Sequence, residues 1–254
     1  MRVLLIGDSC LDVYVYGEVK RLNPEAPVPI LEPSREERTN GMAWNVYNNL
    51  KAFGFDVYML TNKETIKKTR YIDEKSNQQI LRVDNEPEIT PLEHKQPFHE
   101  RSNTDPPSDD WYDVMVISDY NKGFLTKEKI FELVKWFDGP VFIDSKKITL
   151  PGDAYLKINE DEFKKITHYN PETLIITKGG EGTEYKGKLY PAERVNVFDV
   201  VGAGDTFLSA LTYGYMKYGN IEEAIPLANK AAAIAVSHPG TYVLKEKDVK
   251  NLCD

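Results

Sequence analysis

The chain has 254 residues, of which 41% are hydrophobic and 28% charged, enough for one large α/β domain or two small ones around a substantial core. Its formal net charge of -8 argues against general affinity for nucleic acid or an anionic membrane surface, so any bound phosphate must be met by local donors. The two cysteines, Cys10 and Cys253, lie at opposite ends, which excludes a disulfide framework or a cysteine metal cluster and fits a reducing cytoplasmic compartment.

"RVLLIG" (2–7) is an apolar run ending in glycine, as expected of a buried parallel strand. It is too short for a secretory or membrane segment, and Met1 is expected to start the mature protein. "DVYVYGEV" (12–19) alternates like a half-exposed strand. The proline-rich "NPEAPVPILEP" (23–33) suits turns and edge strands. "NGMAWNVYNNLKAFG" (40–54) places Met42, Val46, Leu50 and Phe53 on one helical face, with Gly54 as its stop.

"FDVYMLT" (55–61) reads as a strand, and "KTRYID" (68–73) with "QQILRVD" (78–84) as a hairpin. Residues 85–110 are polar and rich in proline, predicting a loop with one short helix. "YDVMVIS" (112–118) predicts a central strand, and "TKEKIFELVKWF" (126–137) an amphipathic helix capped by Thr126. "PVFID" (140–144) and "TLIITKGG" (173–180) continue the strand–helix rhythm, which predicts a mostly parallel sheet with helices on both faces. The pieces outside that rhythm, 13–33 and 68–84, predict a small β lid on a single domain spanning 1–254.

After the strand-like "RVNVFDV", the turn "VGAGD" runs into the apolar helical pattern "TFLSALTYGYMKYG". Glycines let backbone N–H groups converge, and a helix start adds partial positive charge, so the turn suits phosphate oxygens. A carboxylate there would repel a phosphate, but it suits a base that takes a proton from an attacking hydroxyl. A plain N-cap aspartate is the alternative at this stage. Neither a P-loop nor a dinucleotide fingerprint is present.

Asp199-Val-Val-Gly-Ala-Gly-Asp205 resembles the C-terminal signature of the ribokinase-like sugar kinases. The opening "LLIGDSCLDVYVYGEVKRLNPEAPVPILE" and the later "KTRYIDEKSNQQILRVD", "VISDYNKGFL", "VFIDSKK" and "LANKAAAIAVSHPGT" are similar, in order, to the heptose 7-phosphate kinase branch of that family, the kinase half of the bifunctional ADP-heptose synthesis proteins. The resemblance implies a ribokinase-like α/β fold, shortened relative to typical members. It implies ATP and Mg2+ as cofactors, with a monovalent cation near 199–201 and 234–240 left open.

By that resemblance Asp205 is the catalytic base, and the amides of Gly202, Ala203 and Gly204 form the anion hole. Asp12, Gly41 and Asn45 contact the sugar; Asn40 and Trp44 depart from the family's Gly-Gly-x-x-x-Asn pattern. Asn159 and Glu162 organise Mg2+ around the nucleotide phosphates, although an acidic first turn is also ordinary helix stabilisation. Thr177, Gly179 and Gly182 belong to a nucleotide loop or to a simple hairpin turn. Asn229 lies near the adenine or caps a neighbouring loop. Gly240, in "HPGT", borders the adenine, and His238 beside it is structural.

Arg70 and Lys122 are the cations expected for a phosphorylated sugar, and Asp119 orders their loop or touches the sugar. The expected partners are ATP and a sugar phosphate, with no nucleic acid and no membrane; the exposed lid strands could pair two copies across a two-fold axis. The leading reading is an ATP-dependent kinase acting on the anomeric hydroxyl of a heptose 7-phosphate. Its alternatives are a kinase for another sugar and a catalytically inactive binding subunit.

Overall fold

The computed structural model describes residues 1–93 and 112–253, apart from the side chain of Cys253. The short helix expected within 85–110 therefore lies largely outside the described residues. Eight strands form one sheet: β1 (Arg2–Gly7), β4 (Asp56–Thr61), β7 (Val114–Asp119), β8 (Val141–Ser145), β9 (Tyr155–Asn159), β10 (Leu174–Thr177), β11 (Gly182–Tyr185) and β12 (Lys188–Pro191). Their spatial order is β4-β1-β7-β8-β9-β10-β11-β12. All neighbours from β4 to β10 are parallel, and only β11 and β12 run antiparallel to their predecessors.

Alternation along the strands divides the core. Leu4, Ile6, Met115, Ile117, Ile143, Leu156 and Ile158 face one side, where α2 (Lys127–Trp136) lays down Ile130, Leu133 and Val134. Val3, Leu5, Val114, Val116 and Phe142 face the other, against α1 (Ala43–Ala52), α4 (Ala203–Tyr218) and α5 (Ile221–Val236). With both faces covered, the strands read as continuous apolar runs. Thr126 caps α2 by accepting the amide of Lys129 at 3.1 Å, as its sequence predicted.

The lid is a second, four-stranded sheet ordered β3-β2-β5-β6, built from β2 (Ser9–Leu22), β3 (Pro29–Met42), β5 (Ile66–Asp73) and β6 (Gln78–Asn85). It takes in residues 34–42, which the sequence pattern did not assign to it. Asn40, Gly41 and Met42 finish β3 opposite Leu11, Cys10 and Ser9, so α1 starts three residues later than the helical periodicity suggested. Its first amide, that of Ala43, donates to the Asp8 carbonyl at 3.0 Å.

Three further differences have simple causes. "RVNVFDV" is no strand: the chain leaves the sheet edge at Pro191, and the amides of Phe198 and Asp199 donate to the Val236 carbonyl at the end of α5. Strand β9 escaped notice because a lysine interrupts its five residues, and β11 and β12 because each has only four residues. No helix among the described residues is long and apolar enough to cross a membrane.

Asn49, wholly buried on α1, donates to the Asn45 carbonyl at 2.9 Å and accepts the Leu244 amide at 3.1 Å. Asn49→Ala strands that amide in the core and is expected to remove about 2 kcal/mol of stability, read as a lower urea midpoint with unchanged slope.

Candidate active site

The carboxyl ends of β1, β7, β8 and β9, the first turns of α1 and α4, and the lid enclose one cluster of polar side chains. Open parallel sheets gather ligands at those strand ends. Helix α4 opens behind Gly202, whose φ of 80° is the left-handed conformation that glycine adopts without strain. That turn sets Asp205 in the first helical turn with only 4% of its surface exposed. Its Oδ1 accepts the Tyr120 hydroxyl at 2.8 Å and its Oδ2 accepts Asn45 Nδ2 at 3.1 Å.

Burial pushes the Asp205 carboxyl up to about 6; the Tyr120 hydrogen bond opposes the rise and the charge of Asp144 adds to it. Such a group is mostly ionised at neutral pH yet binds a proton far better than an exposed carboxylate. Burial raises the Tyr120 phenol well above its ordinary range, and the Asp205 charge raises it further, so it remains a donor.

Beside Asp205 lies a buried ion pair, Lys157 to Asp144 at 2.6 Å. Burial works against the Lys157 charge, but the field and hydrogen bond of Asp144 outweigh it and keep the ammonium above its usual value. A Cβ placed on Gly204 would stand 2.8 Å from Lys157 Nζ. Glycine there lets a lysine charge and the start of α4 approach one spot, which is a cradle for phosphoryl oxygens. The Ala203 amide already donates to the Val200 carbonyl at 3.3 Å, and the Thr206 amide makes the first helical bond, to the Gly202 carbonyl at 3.0 Å; the amides between them, of Gly204 and Asp205, open the helix without an acceptor in it.

On the lid side, Asp12 is buried and accepts Arg70 Nη1, while its other oxygen stands 3.6 Å from the Cys10 thiol. A Cβ on Gly41 would fall 2.0 Å from that oxygen, which explains a glycine on this strand. The structure thus brings Asp12, Gly41 and Arg70 together. Burial, and then the Asp12 charge, push the Cys10 thiol up to about 12, so it stays protonated.

The loop after β7 is pinned by two buried acids. Asp8 Oδ2 accepts the amides of Tyr120 and Lys122 at 2.8 and 3.2 Å. Asp119 accepts Ser145 Oγ at 2.5 Å, Lys147 Nζ at 2.9 Å and the Asn121 amide at 3.0 Å. Of the two roles expected for Asp119, this geometry performs loop ordering. Lys122 Nζ is held by Glu86 at 2.5 Å.

The residues expected around the nucleotide lie along β9 to β12 and the end of α5. Asn159 and Glu162 form a reciprocal capping box, each side chain accepting the other's amide at 2.9 Å. Asn159 is exposed and Glu162 half-buried, beside a cavity of about 210 Å³ that Ser145, Lys146, Lys147 and Lys165 also line. Among the described residues no three His, Cys, Asp or Glu side chains converge as a metal cage. Mg2+ seldom has such a cage, taking one or two carboxylates with water and phosphate oxygens, and the Asn159–Glu162 pair fits that donor set.

Thr177 ends β10, and a single turn over Gly179–Glu181 leads to Gly182 at the start of β11. Asn229 is buried and fully engaged: it accepts Thr183 Oγ1 at 2.7 Å and donates to the carbonyls of Tyr190 and Pro191 at 2.9 and 3.2 Å. It tethers the β11–β12 hairpin to α5, the loop-holding alternative of its sequence reading. Gly240 donates its amide to Asp199 Oδ2 at 3.1 Å, and His238 stacks on Tyr242 with ring centres 3.8 Å apart.

Sequence reasoning missed Tyr120, Asp144 and Lys157 as members of the cluster. Tyr120 lay in "VISDYNKGFL" and Asp144 in "VFIDSKK"; Lys157 carried a weaker signal, a charge within a short apolar strand.

Residues 149–248 match the pfkB family carbohydrate kinases. Over 96% of its length the chain is 33% identical to "Bifunctional protein HldE" of a Nitratiruptor species, covering 64% of that protein. Over 98% it is 29% identical to the protein of the same name from Escherichia coli, covering 62%. The chain thus spans less than two thirds of these relatives. Ribokinase from Thermotoga maritima shares the fold at 15% identity, with a TM-score of 0.66 and 99% of each chain covered. Arabidopsis thaliana ribokinase complexed with ribose and ATP does so at 15% identity and 0.66, covering 99% of this chain and 98% of that one. The family match agrees with the expected carbohydrate kinase family over residues 149–248, and the solved structures bear out the ribokinase-like α/β fold.

The raised Asp205 carboxyl has a consequence for stability. Its folded value of about 6 exceeds the ordinary carboxylate value, so stability falls as pH rises between the two. At pH 8 the buried charge costs about 3 kcal/mol. Asp205→Asn is therefore expected to melt several degrees above the wild type at pH 8, with the gap closing towards pH 4.5 in parallel thermal scans.

Proposed function

For a chain that carries a pfkB family carbohydrate kinase domain across residues 149–248, we propose an ATP-dependent sugar kinase that phosphorylates the anomeric hydroxyl of D-glycero-D-manno-heptose 7-phosphate to the 1,7-bisphosphate. One observation carries the reading: a buried, raised carboxylate, Asp205, stands at the start of a helix beside a charged lysine. The heptose is favoured by the resemblance of the opening segment and of "SDYNKG" to the heptose 7-phosphate kinases, and by the two relatives named HldE.

The acceptor lies under the lid, among Asp12, Gly41, Asn45 and Asp205. Its reacting hydroxyl donates to Asp205 and surrenders the proton as its oxygen attacks the terminal phosphoryl group. Ionised Asp205 is ready for that proton, and Asn45 and Tyr120 hold the carboxylate in place. Free first-turn amides of α4 and the Lys157 ammonium face the negative charge that develops during transfer. Asn159 and Glu162 are the residues to hold Mg2+ through its waters; when bound, the ion neutralises phosphate charge. Thr177, Gly179, Gly182 and Gly240 border the path for the nucleotide.

Two variants test the mechanism. Asp205→Asn should lower sugar-dependent ADP release by about a thousandfold or more while binding ATP normally; near-normal turnover would refute the assignment. In the wild type, kcat/KM should rise with pH through about 6, as Asp205 loses its proton. Tyr120→Phe removes a bond that favours the ionised carboxylate, so its acid limb should move to higher pH and its loss of activity should be larger at pH 6 than at pH 8. An acid limb that stays in place would sink the role given to Tyr120.

A further inference from the structure

One face of the lid brings three cations together in a chain whose total charge is acidic. Across β2 and β5, Asp12 pairs with Lys68 and Tyr14 with Arg70; across β5 and β6, Arg70 pairs with Arg82 and Lys68 with Asp84. Residues paired in a ladder point to the same side of the sheet. Lys68, Arg70 and Arg82 therefore project from the face that carries Asp12, Cys10 and Gly41. Arg82 confirms the placement: Asp84 chiefly, then Asp12 and Cys10, hold its guanidinium above the ordinary value.

Like charges directly opposite in an antiparallel pair repel and weaken it. Arg70 and Arg82 are so placed, and each is held by a separate carboxylate. Asp12 takes Arg70 Nη1, and Asp84 takes Arg82 Nε and Nη2, both at 2.7 Å. Those contacts fix the two forks and leave Arg70 Nε and Nη2 and Arg82 Nη1 with no hydrogen-bond acceptor among the described residues. A planar guanidinium held by one carboxylate and open on another edge is suited to a phosphate.

Lys68 Nζ reaches from the same face to 5.9 Å from the centre of the Tyr120 ring, and Lys146 Nζ reaches the ring to 5.2 Å. Neither lysine forms an ion pair among the described residues. The Tyr120 hydroxyl rests on Asp205, so both ammonium groups lie near the ring that reaches that carboxylate. Lys122, the other cation expected for this task, is tied to Glu86.

We propose that Lys68, Arg70 and Arg82 form an anion-recognising surface under the lid that binds the phosphate of the acceptor and selects sugars whose phosphate is remote from the reacting hydroxyl. This rests on the kinase reading above and adds Lys68 and Arg82 to its specificity residues. A sugar phosphorylated beside its reacting hydroxyl cannot reach the base and the lid cations together; a chain of several carbons between the two groups can.

Equilibrium binding without turnover tests it separately from catalysis. Calorimetry on the whole chain, with and without ADP, compares heptose 7-phosphate with the unphosphorylated heptose. The wild type and Asp205→Asn should both bind the phosphorylated sugar at least about tenfold more tightly. Arg82→Gln and Lys68→Gln should each lose about tenfold for that sugar and little for the other, with Arg82→Lys in between. Arg82 is 42% exposed, so its variants should melt near the wild-type temperature. In turnover, the same variants should raise the acceptor KM while the ATP KM holds. Equal binding of the two sugars by the wild type, or unchanged discrimination in both glutamine variants, would overturn the anion site. Loss of kinase activity alone, with discrimination intact, would fall on the kinase reading instead.

Discussion

A buried carboxylate tolerates loss of water only when other groups take over its solvation. Asp205 meets that condition with two side chains from distant parts of the chain, Asn45 on α1 and Tyr120 after β7. The arrangement is incomplete as a solvation shell, which is why the group still holds its proton up to about pH 6. Much of the surrounding structure serves this one group: Asn49 holds the Asn45 carbonyl, and Asp8 and Asp119 pin the loop that presents Tyr120.

Charge is separated within a short span. Asp205 is negative when ionised, and the neighbouring Lys157 is held positive. The two coexist because Asp144 lies between their demands: it keeps Lys157 protonated and, by its own field, raises Asp205. Removing any one of the three alters the other two, so substitutions among them should not be additive. On the lid, Lys68, Arg70 and Arg82 add a second set of cations on one face.

The sheet explains how these groups meet. Asp8, Asp119, Asp144, Lys157, Asn159 and Thr177 all lie at or near the carboxyl ends of parallel strands, while helices cover both faces. Low identity to solved ribokinases alongside a shared fold is consistent with such a frame, because the core needs alternating apolar residues of suitable volume rather than particular ones.

The sequence by itself determined the parallel sheet, the lid hairpin, the cap of α2 and the placing of a carboxylate, Asp205, where a glycine turn opens a helix. Each of these is written in local order: apolar runs ending in glycine, alternation, a threonine before a helical face, or charge beside flexible backbone. Only the tertiary structure decided that "RVNVFDV" would run outside the sheet, that Asn229 would be consumed in holding a hairpin, and that Tyr120, Asp144 and Lys157 would surround Asp205. It also decided that Arg82 would stand opposite Arg70 with donors to spare. Those outcomes depend on which strand ends adjoin and on strand register, relations between residues far apart in the chain that no local pattern encodes.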